Sequence, residues 1–166
     1  FVFVVLQGLG SNDKFTYAFS TVPAEILGGK DLETPPHEVQ VTTGGGQPAV
    51  LEVLGLQRTP IPVYLTLLTA MFMHAGWLHL IFNMLFLWTA GGLLELTLGA
   101  AVFVPAYVVS GMAAALAHAA FHPGSSEPAV GASGAVAGAM GMLGVLHGRE
   151  KLRLALVVML AAAPRI

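Results

Sequence analysis

The feature that most constrains this chain is its series of long apolar runs with very few charges between them. Only 10% of the 166 residues are charged, whereas 55% are hydrophobic. A soluble protein of this size needs more charged surface, and a run of about 20 apolar residues is long enough to cross the hydrocarbon of a bilayer. The composition therefore predicts an integral, multi-pass membrane protein of the all-α class.

The apolar runs divide the chain into predicted segments of one membrane domain, residues 1–166. The segments are the end of a first transmembrane helix at 1–8, a long polar loop at the membrane interface over 9–60, full spans at 77–95, 98–120 and 132–148, and the start of a fifth span at 152–166. Because both termini lie inside apolar runs, we expect a longer polytopic protein, truncated here at both ends.

The distribution of charge predicts the orientation of these spans. Arg149, Lys151 and Arg153 stand against Glu150 in the short turn after the third full span, whereas the loop over 9–60 has six acids and three bases. Cytoplasmic loops carry an excess of Lys and Arg, so the short turn is expected inside and the long loop outside. The first and third full spans then both begin at the outer side, at similar depth.

The stretch "HLIFN" places two polar residues near the outer end of the first full span. His79 and Asn83 are four residues apart and therefore share one face of a helix. Polar groups at this depth are costly unless they have partners. The pair therefore indicates either a functional polar cavity or hydrogen bonding that holds helices together.

The stretch "PAVGASGAVAGAMG" contains a single hydroxyl, that of Ser133, at the start of the last full span. Unpaired backbone N–H groups and the helix dipole favour a developing anion at such a position. The alternative is packing, since Gly134 and Gly138 form a small-residue ridge that Gly141 and Gly144 extend. The motif is neither the nucleophile elbow of soluble hydrolases nor a phosphate-binding loop.

Several kinds of chemistry are excluded by composition. The chain has no cysteine, so it has no disulfide, no thiolate metal site and no cysteine nucleophile. Its net charge of -2 gives no basic face for nucleic acid. A serine at a helix start, with a histidine and an asparagine at the same depth, instead has the parts of an acyl-transfer site.

The stretches "LTAMFMHAGWLHLIFNMLFLWTAGGLLELTLG" and "GASGAVAGAMG", in this order and separated by one span, resemble the rhomboid family of intramembrane serine proteases. The resemblance covers roughly residues 60–150, and "VPAEI" in the loop is also similar to bacterial members. It implies an endopeptidase that cleaves transmembrane segments of other proteins in a bacterial cell membrane. No metal or organic cofactor is implied, and the expected partners are transmembrane substrates and the lipid bilayer.

The resemblance also implies a role for each motif residue. Ser133 corresponds to the nucleophile of the GxSG motif, and its main-chain N–H to an oxyanion donor. His79 and Asn83 correspond to the HxxxN pair that stabilises the oxyanion. Gly92 to Glu95 correspond to a structural turn between helices, with Glu95 as a helix-end anchor.

The family's general base is a histidine of a sixth helix, which this chain is expected to lack. His147 lies fourteen residues after Ser133 on the same helix, roughly 20 Å away along its axis, and cannot serve. His118 and His122 lie at the outer end of their helix and could approach the mouth of the site, but no motif supports them and they are interpreted as interfacial. His74 is interpreted as ordering the start of the His79 helix. We therefore expect the isolated fragment to be inactive and the intact protein to be a protease.

Two other functions are considered. A rhomboid-like pseudoprotease would bind transmembrane helices without cleaving them, although it would have no need of Ser133 or of the HxxxN pair. A channel or transporter subunit has less support, because the chain has no repeated broken-helix segments and no paired intramembrane charges.

Overall fold

The fold, seen in a computed structural model, is built mostly from helices. The structure describes residues 2–8, 11–42, 44 and 46–162, and among these the side chains of residues 2–4, 51 and 149–162 are not described. Its elements are α1 (Val2–Gln7), α2 (Asp13–Phe19), α3 (Pro23–Gly28), β1 (His37–Thr42), β2 (Pro48–Val53), α4 (Val63–Phe72), α5 (Trp77–Leu98), α6 (Ala100–Phe121), α7 (Ser133–Gly148) and α8 (149–162).

Two of these helices are long and apolar enough to cross a membrane. They are α5 and α6, each 22 residues long. The helix α7 is apolar but shorter, and Gly148, with a φ of 70°, separates it from α8. The number of spans therefore stays a prediction, and residues 163–166 of the expected fifth span lie outside the described residues.

The helices α5 and α7 lie side by side and run in the same direction. Near their beginnings His79 of α5 and Ser133 of α7 line one cavity. Near their ends the hydroxyl of Thr97 lies 2.8 Å from Nε2 of His147. The helix α6 runs in the opposite direction and packs against both. A buried cluster joins all three helices and consists of Ala90, Leu94, Phe103, Ala139 and Leu143.

Small residues let α6 and α7 approach closely. A Cβ added at Gly134 would lie 2.5 Å from the Cβ of Ala114, and one added at Gly138 would collide with Ser110. The predicted packing ridge at these two glycines is thus confirmed. At Gly141, part of the predicted extension of this ridge, an added Cβ would meet no atom of the described residues within 4 Å, so no close helix contact is seen there.

The turn between α5 and α6 lies at Gly99. Its φ of 75° is in the left-handed region that glycine adopts without strain, and its N–H donates to the carbonyl of Glu95. Gly92 to Glu95, interpreted above as the turn, are helical. Glu95 is exposed near the end of α5.

The segment before α4 is folded rather than a plain loop. It contains α2 and α3, and β1 and β2 pair as an antiparallel hairpin in which Val39 stands opposite Leu51. This hairpin corrects the expectation of an all-α protein. Val39 and Val41 alternate with polar residues in β1, the period-two pattern of a strand with one apolar face.

Candidate active site

Ser133 is the first residue of α7 and is exposed. The carbonyl of Ala132 already accepts from the N–H of Val136, so helical bonding starts immediately before the serine. The first N–H groups of a helix have no partner within it. The N–H of Ser133 is therefore available to an anion formed beside its own hydroxyl.

His79 and Asn83 lie one turn apart on α5, with Asn83 only 4% exposed. Nδ2 of Asn83 donates to the carbonyl of His79 at 2.9 Å. An amide nitrogen carries two hydrogens, so a second donor remains after this bond. The helix thus fixes the side chain and leaves it able to donate elsewhere.

The three predicted site residues meet at a single cavity. Ser133, His79 and Asn83 all line a space of about 470 Å³ between α5 and α7. Its other lining residues are apolar: Phe82, Phe86, Val136, Ala137 and Met140. On each helix the first lining residue is polar, His79 on α5 and Ser133 on α7, and the apolar lining residues lie within the next two turns.

The imidazole of His79 is held in a defined orientation. Its Nδ1 accepts a long hydrogen bond, 3.4 Å, from the N–H of Ala75. A nitrogen that accepts cannot carry the proton of a neutral ring, so the proton is on Nε2. The Cε1–Nε2 edge of the ring lies beside Gly131, where an added Cβ would be 2.5 Å from Cε1 and 2.7 Å from Nε2.

The chain leading to Ser133 is held on both sides by backbone hydrogen bonds. Thr21 and Ala129 exchange two such bonds, of 3.0 and 2.8 Å, and the N–H of Gly131 donates to the carbonyl of Ala70 at 2.9 Å. Gly131 has a φ of 123°, which disfavours residues with a Cβ. The polar segment before α4 therefore helps to fix where α7 begins.

Ser133 also lines a second cavity, of about 220 Å³, on the side of α7 that faces α6. Its lining includes His118, which was interpreted from sequence as interfacial and is exposed at the end of α6. The ring of His118 lies against that of His122, with centroids 4.4 Å apart. The structure therefore brings a further imidazole to the surroundings of Ser133, and His147 lies far away beside Thr97.

The arrangement suits the stabilisation of a negative charge next to a hydroxyl. The main-chain N–H of Ser133, Nδ2 of Asn83 and Nε2 of His79 are three donors from two helices around one cavity. Within the described ranges no group of three His, Cys, Asp or Glu side chains could hold a metal ion. Catalytic roles for these residues stay a prediction.

Sequence reasoning missed Gln7, which is fully buried and whose Oε1 accepts from the N–H of His74 at 2.8 Å. One signal was present, because a glutamine inside an apolar run requires a hydrogen-bond partner. Its partner lies 67 positions along the chain, which no local pattern could indicate.

Comparison with known proteins gives one family and one relative. The family profile described as "Rhomboid domain" matches residues 62–164. A stretch of 77 residues is 39% identical to the rhomboid protease GluP of Bacillus subtilis (strain 168). This stretch covers 46% of the chain and 15% of that protein. No solved structure matches.

Proposed function

The chain belongs to the rhomboid family of membrane proteins, and from this we propose that it is the core of a serine endopeptidase that cleaves transmembrane segments of other membrane proteins. The observation that carries the proposal is the cavity shared by Ser133, His79 and Asn83. The relative at 39% identity bears the name of a protease, which supports the same activity.

Ser133 acts as the nucleophile. Its Oγ attacks the scissile carbonyl carbon, and a general base takes the hydroxyl proton as the C–O bond forms. The carbonyl oxygen becomes an oxyanion, which accepts from the N–H of Ser133, from Asn83 and from Nε2 of His79. The base then gives its proton to the leaving nitrogen, the C–N bond breaks to release the amine, and water hydrolyses the acyl-enzyme that remains, which returns the proton to Ser133.

The oxyanion donors supply much of the rate enhancement. Donors fixed in advance around a developing charge need no reorganisation during the reaction, and removal of one slows catalysis by about 10²- to 10³-fold. His79 is suited to this role because the N–H of Ala75 donates to its Nδ1, which leaves Nε2 as the ring nitrogen that can donate.

The general base is assigned to a histidine of a further helix, as the family resemblance implies. His147 is unsuitable because its Nε2 lies 2.8 Å from Thr97, near the opposite end of α5 from His79. The same proposal includes that the protein crosses the membrane several times and that this membrane is a bacterial cell membrane.

A transmembrane substrate must present an exposed peptide bond at Ser133. Within lipid, helical hydrogen bonds shield the backbone, so the substrate must unwind locally before it can be cleaved. The apolar part of the cavity, including Phe86 and Met140, would accommodate an apolar side chain.

The experiment is cleavage of a model transmembrane substrate by the intact protein in detergent or liposomes, with Ser133→Ala beside it. Loss of cleavage in the variant supports the proposal. Substrate binding without cleavage by the unsubstituted protein would favour the alternative, a rhomboid-like protein that binds transmembrane helices and does not hydrolyse them.

A further inference from the structure

Gln7 connects α1 with the short segment that precedes α5. Its side chain is fully buried, and Oε1 accepts from the N–H of His74 at 2.8 Å. Burial of a side-chain amide in an apolar helix destabilises the fold unless the amide is hydrogen-bonded. The bond therefore fixes the backbone of His74 against α1.

The next backbone N–H along the chain holds the ring of His79. Ala75 follows His74 directly, and its N–H donates to Nδ1 of His79. The N–H groups of His74 and Ala75 belong to successive peptide units that meet at the Cα of His74, so only the φ and ψ of this one buried residue set the direction of the second N–H relative to the first. Gln7 is thus two hydrogen bonds away from the imidazole at the cavity.

The same region contains buried polar atoms without a partner among the described residues. They are Nε2 of Gln7 and both ring nitrogens of His74. His74 is 2% exposed, and its ring meets that of His79 edge to face, with centroids 5.2 Å apart. Buried polar groups of this kind are commonly satisfied by an ordered water with two to four hydrogen bonds.

The ring of His74 is neutral. Burial lowers the pKa of His74, and a positive charge on His79 would lower it further. A neutral imidazole has one nitrogen that accepts. The buried ring of His74 therefore packs against the ring of His79 without placing a charge beside it.

We propose that Gln7 is a positioning residue for His79, acting through its hydrogen bond to the His74–Ala75 backbone. This inference rests on the proposed function, since it assigns a purpose to the fixed Nε2–H of His79. Gln7 itself does not touch the reacting atoms.

The test is a double-substitution cycle in the intact protein, with Gln7→Met and His79→Ala made singly and together. Steady-state cleavage of a transmembrane substrate gives kcat and KM, and thermal unfolding gives stability. We expect Gln7→Met to lower kcat about tenfold or more, because small misplacements of catalytic groups have effects of this size. KM should change less than about twofold, since the substrate's ground-state contacts remain.

The decisive measurement is made in the His79→Ala background, where Gln7→Met should have no further effect on kcat. A purely structural role predicts the same fractional loss with or without His79. Equal losses in both backgrounds, or an unchanged kcat in Gln7→Met alone, overturn the proposal. Gln57→Met is the matched control: Nε2 of Gln57 bonds only the nearby carbonyl of Gly55, and cleavage should not change.

A second variant keeps the test informative if Gln7→Met does not fold. Gln7→Glu retains an oxygen that accepts from the N–H of His74 but removes the Nε2 donor. We expect kcat close to that of the unsubstituted protein, because the bond from the N–H of His74 remains, and a loss of about tenfold or more in a folded Gln7→Glu variant would overturn the proposal. Failure of the proposed function is a separate result, because Ser133→Ala would then cleave as fast as the unsubstituted protein.

Discussion

The ring of His79 lies so close to Gly131 that a Cβ at position 131 would be 2.5 Å from its Cε1. Gly131 is two residues before Ser133, and its N–H is bonded to the carbonyl of Ala70. The first glycine of the GASG stretch therefore makes room for an imidazole on another helix. Through this contact, residues of the two sequence motifs meet.

Gly131→Ala should lower cleavage strongly, by up to about 10²-fold, because the added methyl displaces His79 from its oxyanion-facing position. The φ of 123° adds backbone strain of order 1–3 kcal/mol. Gly124→Ala is the matched control, since Gly124 has a φ of 84° but no atom within 4 Å of an added Cβ. Comparable cleavage by the two variants would contradict the role given to the His79 contact.

Asn83→Ala should slow cleavage by about 10²- to 10³-fold if its amide donates to the oxyanion. The comparison is Thr89→Val on the same helix, because the Thr89 hydroxyl bonds only the carbonyls of Leu85 and Phe86. Steady-state cleavage by both variants is the measurement. An unchanged rate for Asn83→Ala would leave this residue with a structural role, as a hydrogen-bonded group between helices.

Gly138→Ala should destabilise the bundle, because the new methyl would collide with Ser110 of α6. Overpacking of this kind typically costs about 1–3 kcal/mol. Gly141→Ala lies one turn further along α7, has open space, and should be neutral or stabilising by about 0.5–1 kcal/mol. Thermal unfolding of the two variants tests the prediction, which fails if they shift alike.

Glu25→Gln should stabilise the protein at neutral pH and not at acidic pH. Burial raises the pKa of Glu25 above its ordinary 4.5, although the N–H of Leu32 lowers it and the charge of Asp31 raises it. The folded state then binds this proton more tightly than the unfolded state, so stability falls as pH rises through 4.5 to the folded pKa. Glutamine does not titrate and can keep the 3.0 Å bond from Leu32 to its side-chain oxygen.

Unfolding of Glu25→Gln is compared with that of the unsubstituted protein at pH 4 and pH 8. The matched control is Glu38→Gln, because Glu38 is exposed on the hairpin. A stabilisation of Glu25→Gln that is equal at both pH values would show that the carboxyl is not perturbed by burial.

The sequence indicated the helices and the grouping of site residues because both follow from local patterns. Apolar runs predict helices, and the four-residue spacing of His79 and Asn83 puts both on one face. The close packing of α6 against Gly134 and Gly138 was predicted in the same way from residue size.

Two kinds of feature were not predicted from the sequence. They are contacts between distant segments and elements whose local sequence signal is weak. The bond between Gln7 and His74 and the exchange between Thr21 and Ala129 join segments that no periodicity relates. The hairpin of β1 and β2 was missed because its alternation covers only six residues per strand beside a glycine-rich turn. His118 was interpreted as interfacial because no motif supports it, and whether it reaches the Ser133 cavity depends on how α6 crosses α7.

The central claim is that Ser133 is a nucleophile, and Ser133→Ala in the intact protein tests it most directly. Cleavage of a model transmembrane substrate should be abolished while thermal unfolding is nearly unchanged, because Ser133 is exposed at the start of its helix. Ser110→Ala, the same change on α6, should still cleave. Persistent cleavage by a folded Ser133→Ala variant would contradict the account.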